Sequence, residues 1–168
     1  NGGSVVGILD ESDQLVAFAY GFCATDRRGF YHYSQSAVVA AGQQGRGLGR
    51  MLKHAQKEVA LSHGMSRMRW TYDPAQIRNA HFNLDVLGAR GRWFAPDMYG
   101  PGTDRVIVEW DLTREHPVPP EPVAEVAVPT TDLRRSFEEL LGKGLVAFSC
   151  QRRADGGGIY YFGAADDA

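Results

Sequence analysis

Residues 38–60, "VVAAGQQGRGLGRMLKHAQKEVA", contain the clearest structural pattern of this chain. A short apolar run leads into a turn with glycines at positions 42, 45, 47 and 49, and a helical pattern follows. The helical spacing places apolar residues on one face, namely Leu48, Met51, Leu52, Ala55 and Val59. The other face is polar and carries Arg50, Lys53, Gln56 and Lys57. The stretch therefore predicts a strand, a glycine-rich turn and an amphipathic helix.

The segments around this stretch extend the pattern. Two β-rich runs at residues 5–9 and 15–23 flank a polar turn and predict a hairpin. Alternation at residues 66–72 predicts a strand after the helix, which should run parallel to the strand before the helix. Asp73 has the character of a helix N-cap before Pro74, so a second helix is predicted up to Gly88. The runs "RGRWFA" and "DRVIVEWDL" predict an antiparallel pair.

Composition and charge exclude several classes of protein. The chain has 168 residues, 43% of them hydrophobic and 23% charged, with a net charge of −2, which favours one main soluble globular domain. That charge offers no general attraction to nucleic acid. Cys23 and Cys150 lie far apart and predict buried thiols, and no metal site is indicated. Because no secretory signal or membrane-length apolar run is present, we expect a cytoplasmic protein without membrane contact.

The last third of the chain has a different character. Residues 113–130 contain "HPVPPEPV" and predict an extended, Pro-rich linker without helix. Residues 131–168 then predict a small appendage that docks on the first domain. It contains a helix at residues 132–141 and strands at "LVAFSCQ" and "IYYFG".

The glycines have a physical purpose if the turn binds an anion. Residues without a Cβ let backbone N–H groups approach phosphate closely, and the helix that follows adds unsatisfied donors. Two common phosphate motifs do not fit. A P-loop needs Lys and Ser or Thr where this chain has Leu48 and Gly49, and a dinucleotide fingerprint needs a third glycine where it has Arg50.

The segment "QGRGLG", residues 44–49, resembles the Q/R-x-x-G-x-G/A motif of the GCN5-related N-acetyltransferases (GNAT). The later "IRNAHFNLDVLGA" is similar to that family's later helix, so the resemblance covers residues 5–112. It implies an α/β (α+β) fold with a mixed, mostly antiparallel sheet and a central parallel βαβ splay. Residues 1–112 would form the acyl-CoA-binding core, and the small C-terminal appendage lies outside the resemblance.

The resemblance also implies a cofactor, acetyl-CoA or coenzyme A. In the family the pantetheine arm bonds to the strand before the turn, and the diphosphate lies on the amides of the turn. The cofactor-binding residues of this chain would then be Val38, Val39, Gln44, Gly45, Arg46, Gly47, Leu48, Gly49, Arg50 and Asn79. Lys53 is a further basic residue that could reach the ribose phosphate. Asn79 serves equally well as a polar residue on a helix face.

Acetyl transfer to an amine needs a proton acceptor, a donor to the thioester oxygen and an acid for the thiolate. Tyr33 and Tyr72 are the predicted catalytic residues, with Tyr99 as a further candidate. Gln35 stands where some family members carry a histidine, and Leu84 occupies the slot of the usual acidic tyrosine. These departures favour, as alternatives, an acyl-CoA-binding protein with little turnover or an acyl-CoA-processing enzyme of other chemistry.

The acceptor is not specified by the residues. A small-molecule amine or a protein amine fits equally, and the oligomeric state, including a homodimer, stays open. The family places a strand and two helices before the hairpin that opens this sequence. We therefore expect the sequence to be part of a longer chain, with the tail helix filling that place as the alternative.

Overall fold

The computed structural model describes residues 2–115 and 117–166. They form two compact units: Asn1–Trp70 with Asp111–Thr113, and Thr71–Trp110 with Arg114–Ala168. The elements follow one another as β1 (Ser4–Leu9), β2 (Leu15–Asp26), β3 (Gly29–Val39), α1 (Leu48–Ser62), β4 (Arg67–Tyr72), α2 (Ile77–His81), a π-helical segment (Phe82–Val86), β5 (Arg90–Ala95), β6 (Arg105–Asp111), β7 (Ala124–Val128), α3 (Leu133–Gly142), β8 (Leu145–Arg152) and β9 (Gly158–Ala164).

The first unit is a sheet with one helix against it. β1, β2 and β3 are antiparallel neighbours, and β3 is followed in the sheet by β4, which runs parallel to it. Ala17, Ala19 and Leu52 form the apolar core between β2 and α1, with Val6 and Ile8 packed beside them. The predicted hairpin and the parallel βαβ arrangement are confirmed.

β3 and β4 are paired over only a short length. Their register contains His32 opposite Met68 and Tyr33 opposite Arg69, after which β3 continues to Val39. Among the described residues no strand pairs with the β4 side of residues 34–39, which we call the free edge of β3. The register with β2 shifts where Tyr20 faces Ser36 and Gly21 faces Ser34, so Gln35 is the extra residue of a β-bulge.

An ion-pair cluster holds the paired end of β4. Arg67 donates from Nη1 to Oδ2 of Asp26 at 2.9 Å, and Arg69 pairs with the same carboxylate. The hydrogen bond from Arg67 holds the pKa of Asp26 well below its usual range. Arg69 also lies over the ring of Tyr31, 4.0 Å from its centroid. These contacts fix the strand on the face opposite α1.

The buried face of α1 differs from the predicted one. Leu52 is buried as expected, but Lys53, Gln56 and Ala60 are buried with it. Met51, predicted on the apolar face, is largely exposed. The predicted polar face was therefore wrong at two positions, because both side chains form hydrogen bonds with polar residues of the sheet.

The strands of the second unit follow the order β6-β5-β8-β9-β7. Its neighbours are antiparallel, including β5 with β8 through Gly91 and Ala147. The helix and the two strands predicted in the tail are present as α3, β8 and β9. β7 lies inside the segment predicted as a linker, which is extended there but paired with β9.

An aromatic cluster fills the interior beneath α3. It is formed by Phe94, Phe137, Tyr160 and Phe162. The ring of Phe137 is fully buried and meets those of Tyr160 and Phe162 edge-on, with centroids 4.8 and 5.2 Å away. Such edge-to-face pairs add to the free energy gained from burial.

The helix predicted from Pro74 to Gly88 begins later and changes type. α2 begins at Ile77, and residues 82–86 are π-helical. Asp73 does not cap it: its Oδ1 accepts a bond from the backbone N–H of Ala75, which closes a local turn instead. The prediction of a helix start at Asp73 was wrong because an aspartate serves a turn as well as a cap.

The predicted fold class is confirmed: the described residues combine helices with mostly antiparallel strands and one parallel βαβ unit. Trp70 and Trp110 are buried, whereas Trp93 is partly exposed. Cys150 is buried and Cys23 is half-buried. In the described residues no helix is long and apolar enough to span a membrane.

Candidate functional site

The turn between β3 and α1, residues 42–49, is built on glycine backbone geometry. Gly42, Gly45 and Gly47 have φ angles of 82°, 81° and 77°, in the left-handed region that residues with a Cβ rarely adopt. A Cβ added at Gly47 would meet no atom within 4 Å. Glycine at this position allows the left-handed backbone conformation, and it leaves open space beside the chain.

The N-terminus of α1 keeps its backbone donors available. The first intrahelical bond runs from the Met51 N–H to the Gly47 carbonyl at 3.1 Å, so the preceding N–H groups have no acceptor within the helix. Gly47 is the N-cap and provides no side-chain cap, and the first turn holds no acidic residue. The partial positive charge of the helix end is therefore uncompensated. This arrangement is suited to an anionic group.

Basic side chains border the same turn. Arg46 and Arg50 are both exposed, and Arg46 donates from Nη1 to Oε1 of Gln43 at 3.0 Å. Gln44, the first residue of the predicted motif, is exposed beside them. The turn thus combines N–H donors with two exposed positive charges.

The free edge of β3 leads toward this turn. Val38 is exposed and Val39 is half-buried, and both pair with β2 on the other side through Phe18 and Ala17. The edge offers main-chain donors and acceptors to an extended ligand, as an unpaired strand does. The structure thus brings together the predicted residues from Val38 to Arg50 in one continuous stretch of the first unit.

A buried polar cluster lies between α1 and the sheet, formed by Ser4, His32, Ser34, Lys53 and Gln56. Lys53 Nζ donates to Ser34 Oγ at 2.9 Å, and Ser34 Oγ donates to Gln56 Oε1 at 2.8 Å. Gln56 Nε2 donates to Ser4 Oγ at 3.2 Å, and Ser4 Oγ lies 2.9 Å from His32 Nε2. Hydrogen bonds thus connect α1, β1 and β3 through the interior.

Within the polar cluster, burial strongly changes the pKa of Lys53. Its side chain is only 5% exposed, and its Nζ lies 4.0 Å from the centroid of the Trp70 ring. Burial disfavours the charged form and lowers the pKa of Lys53 to about 7. Burial also lowers the pKa of His32, with a smaller contribution from the Lys53 charge.

The polar cluster was not predicted from the sequence. The helical spacing placed Lys53 and Gln56 on the polar face of the helix. A signal was present, because Ser34 and His32 alternate on one strand face while Lys53 and Gln56 lie three residues apart on the helix. Matching polar stripes on neighbouring elements indicate a buried polar contact.

The predicted catalytic tyrosines lie in different surroundings. Tyr33 is half-buried on the sheet face opposite the polar cluster, with its ring 5.4 Å from that of Phe22. Tyr72 belongs to the second unit, where burial raises its pKa far above the usual value. The neighbouring Tyr160 hydroxyl donates to the Pro74 carbonyl at 2.8 Å.

The remaining predicted positions also belong to the second unit. Asn79 is exposed on α2, and Tyr99 is exposed with Arg105 over its ring at 5.5 Å from the centroid. Leu84 is buried. A leucine at this position donates no proton, as the sequence already indicated.

Comparison with known proteins supports the fold. No protein-family model and no curated protein matches the chain. Among solved structures, Naa20 of Chaetomium thermophilum in complex with a bisubstrate analogue is 13% identical with a TM-score of 0.58, covering 66% of this chain and 67% of that one. Nourseothricin acetyltransferase is 15% identical, also with a TM-score of 0.58, covering 66% and 65%.

An aminoglycoside 6'-N-acetyltransferase complexed with coenzyme A is 13% identical with a TM-score of 0.52, covering 70% of this chain and 75% of that one. The chain thus spans about two thirds to three quarters of the length of these structures. At such identities the likeness shows the fold, which is that of the GNAT acetyltransferases.

Proposed function

From the GNAT fold, we propose that this chain is an acyl-CoA-dependent N-acyltransferase, with acetyl-CoA as the donor and an amine as the acceptor. The observation that carries the proposal is the glycine turn at the end of β3. Its left-handed glycines and uncapped helix N-terminus lie next to the free edge of a strand and are suited to an anion. A ligand with a diphosphate at one end and an amide-containing arm matches both features.

The residues of the turn fit coenzyme A by charge and by donor type. The N–H groups of Gly45, Gly47 and Gly49 would hold the diphosphate, with Leu48 and Gln44 flanking them. Arg46 and Arg50 would add positive charge near the ribose phosphate. The main chain at Val38 and Val39 would bond the pantetheine amides. Asn79 remains a predicted contact.

When bound, acyl-CoA supplies the activated acyl group, and the chain orients it and moves protons. A backbone N–H at Val38 or Val39 would stabilise charge on the thioester oxygen. Tyr33 would relay a proton through its hydroxyl. Tyr72 would serve only as a hydrogen-bond donor, since burial keeps its phenol protonated.

The acceptor would be a small-molecule amine or a protein amine. Both kinds of acceptor occur in the names of structures with this fold, which include aminoglycoside acetyltransferases and a complex of Naa50 with a bisubstrate analogue. We also propose a cytoplasmic location and a homodimer.

A second candidate function is acyl-CoA binding with little turnover. It is favoured by Leu84, which is buried and carries no proton at the position of the family's usual acid. Acyl-CoA hydrolysis or related chemistry is the third reading. The three candidate functions differ in the condition under which free thiol is released from acyl-CoA.

The test is the release of free thiol from acetyl-CoA by the purified protein, with and without a panel of small and peptide amines. Transfer predicts release that depends on an amine and equals the acylated amine found by mass spectrometry. Release without amine would indicate hydrolysis. Coenzyme A affinity with no release under any condition would indicate a binding protein and contradict the transferase.

A further inference from the structure

Lys53 lies at the point where β3 and β4 cease to pair. The last register pair joins Tyr33 to Arg69, and the next residue on each strand is Ser34 and Trp70. The Lys53 Nζ contacts both of these residues, by a hydrogen bond to Ser34 Oγ and by its position over the Trp70 ring. The amine therefore marks the closed end of the free edge of β3.

The distance along that edge suits an extended ligand. From Ser34 to Val39 the strand covers about 17 Å at its usual rise per residue. An arm held at the glycine turn and extended along this edge would end beside Ser34, next to the Lys53 amine. This placement rests on the proposed function, which puts the diphosphate at the turn.

The surroundings of Lys53 leave its proton available for transfer. Within the described residues no carboxylate pairs with its Nζ. The titratable groups that face the same interior are His32 on β3 and the half-buried Cys23 on β2, while α1 itself carries His54, Lys57 and Glu58. His63, just after α1, acts on His32. Glu58, the acidic residue among these, forms no ion pair with Lys53 in the described part of the chain, and the pKa of Lys53 is lowered by burial with no negative charge to offset it.

We propose that Lys53 is the catalytic acid and base of acyl transfer, giving its Nζ proton to the departing sulfur and taking back the proton released by the acceptor nitrogen. The carbon–nitrogen bond forms as the carbon–sulfur bond breaks, and no oxidant or reductant is needed. Ser34 and Trp70 orient the amine.

Two observations favour this assignment over a purely structural lysine. The family position for the thiolate acid holds Leu84, so the chain needs another donor. A group with a pKa of about 7 exchanges protons efficiently near neutral pH, where an exposed lysine stays charged.

The first readout is the titration of Lys53 itself, followed by NMR of ¹³C-labelled lysine side chains, with the Lys53 signal assigned by its loss in Lys53→Met. Coenzyme A and dethio-coenzyme A, which lacks the sulfur, are then added in turn. Contact with the thiol predicts that coenzyme A shifts the Lys53 midpoint by about one unit or more relative to dethio-coenzyme A, because the thiol and the amine then titrate as a coupled pair.

The second readout is the kcat of acyl transfer in Lys53→Met and Lys53→Arg. Loss of a general acid predicts a fall in kcat of about 100-fold or more in both, with the affinity for coenzyme A by calorimetry changed by no more than about tenfold. Lys57→Met, one turn further along α1, should keep the wild-type rate.

The outcomes separate this inference from the proposed function. Coenzyme A binding and amine-dependent transfer with an unmoved Lys53 midpoint, or a wild-type rate in Lys53→Arg, would overturn the role of Lys53 and leave the transferase intact. No calorimetric binding of coenzyme A would overturn both. The predicted result is binding, a ligand-dependent midpoint and a slow Lys53→Arg variant.

Discussion

The two units of this protein fill the space beneath their helices with opposite chemistry. Beneath α3 the side chains are aromatic, with Phe137 fully buried among Phe94, Tyr160 and Phe162. Beneath α1 the interior includes the polar cluster, with a lysine and a glutamine in the contact between helix and sheet. One interior is typical of a stable core, and the other costs free energy to bury.

This difference indicates what each region is for. An aromatic interior gains free energy from every contact and needs no further explanation. A buried lysine without a carboxylate partner loses hydration that Ser34 and Trp70 restore only in part. The polar cluster also lies beside the free edge of β3, where the proposed site ends. We therefore associate the second unit with stability and the polar cluster with chemistry.

The largest expected change in stability comes from the aromatic cluster. Phe137→Ala removes a fully buried ring and should lower the free energy of unfolding by about 3–5 kcal/mol. The matched control is Phe30→Ala, since the Phe30 ring is exposed and its removal should change stability by less than about 0.5 kcal/mol. Urea denaturation measures both, and equal effects would remove the contrast between the two interiors.

A smaller change of opposite sign is expected at Lys53. Replacing it with methionine keeps the aliphatic stem and removes a buried amine, so Lys53→Met should raise the free energy of unfolding at pH 6 by about 1–4 kcal/mol. Lys57→Met is the control on the same helix. Destabilisation by Lys53→Met at every pH would show that the polar cluster contributes to stability. It would contradict the contrast drawn between the two interiors.

The pH dependence sharpens this expectation. The pKa of Lys53 is about 7 in the folded chain and 10.5 for an ordinary lysine, so between these values the unfolded chain binds more protons. The wild-type protein should therefore gain stability as pH rises from about 7 toward 10.5, whereas below 7 this group contributes no slope. Lys53→Met should lack that gain.

The sequence predicted the elements that depend on local pattern. The hairpin, the glycine turn, α1 and the tail strands follow from alternation, helical spacing and glycine placement. The start of α2 was missed because Asp73 and Pro74 suit a turn as well as a cap. The pairing of β7 with β9 was missed because the whole segment was predicted to be a linker from its prolines. Those prolines are concentrated in residues 117–123, and the strand follows them.

The site was predicted where backbone chemistry defines it and missed where side chains define it. The residues from Val38 to Arg50 form one stretch, so their proximity follows from the chain itself. Lys53 and Gln56 were assigned to solvent because polarity alone does not reveal a polar partner on another strand. Tyr72 was selected by residue type, and its burial was not visible in the sequence.

The most direct test of the central claim is calorimetric titration of coenzyme A into the wild-type protein and into Gly47→Glu. The substitution places a side chain and a negative charge in the open space of the turn, at a φ of 77°. Gly64→Glu is the control, since it imposes similar backbone strain, at a φ of 75°, at the other end of α1, about 22 Å away. We predict micromolar binding by the wild type and by Gly64→Glu, and at least 100-fold weaker binding by folded Gly47→Glu. Equal affinity in all three proteins, or no binding by the folded wild type, would contradict the assignment of the glycine turn as the cofactor site.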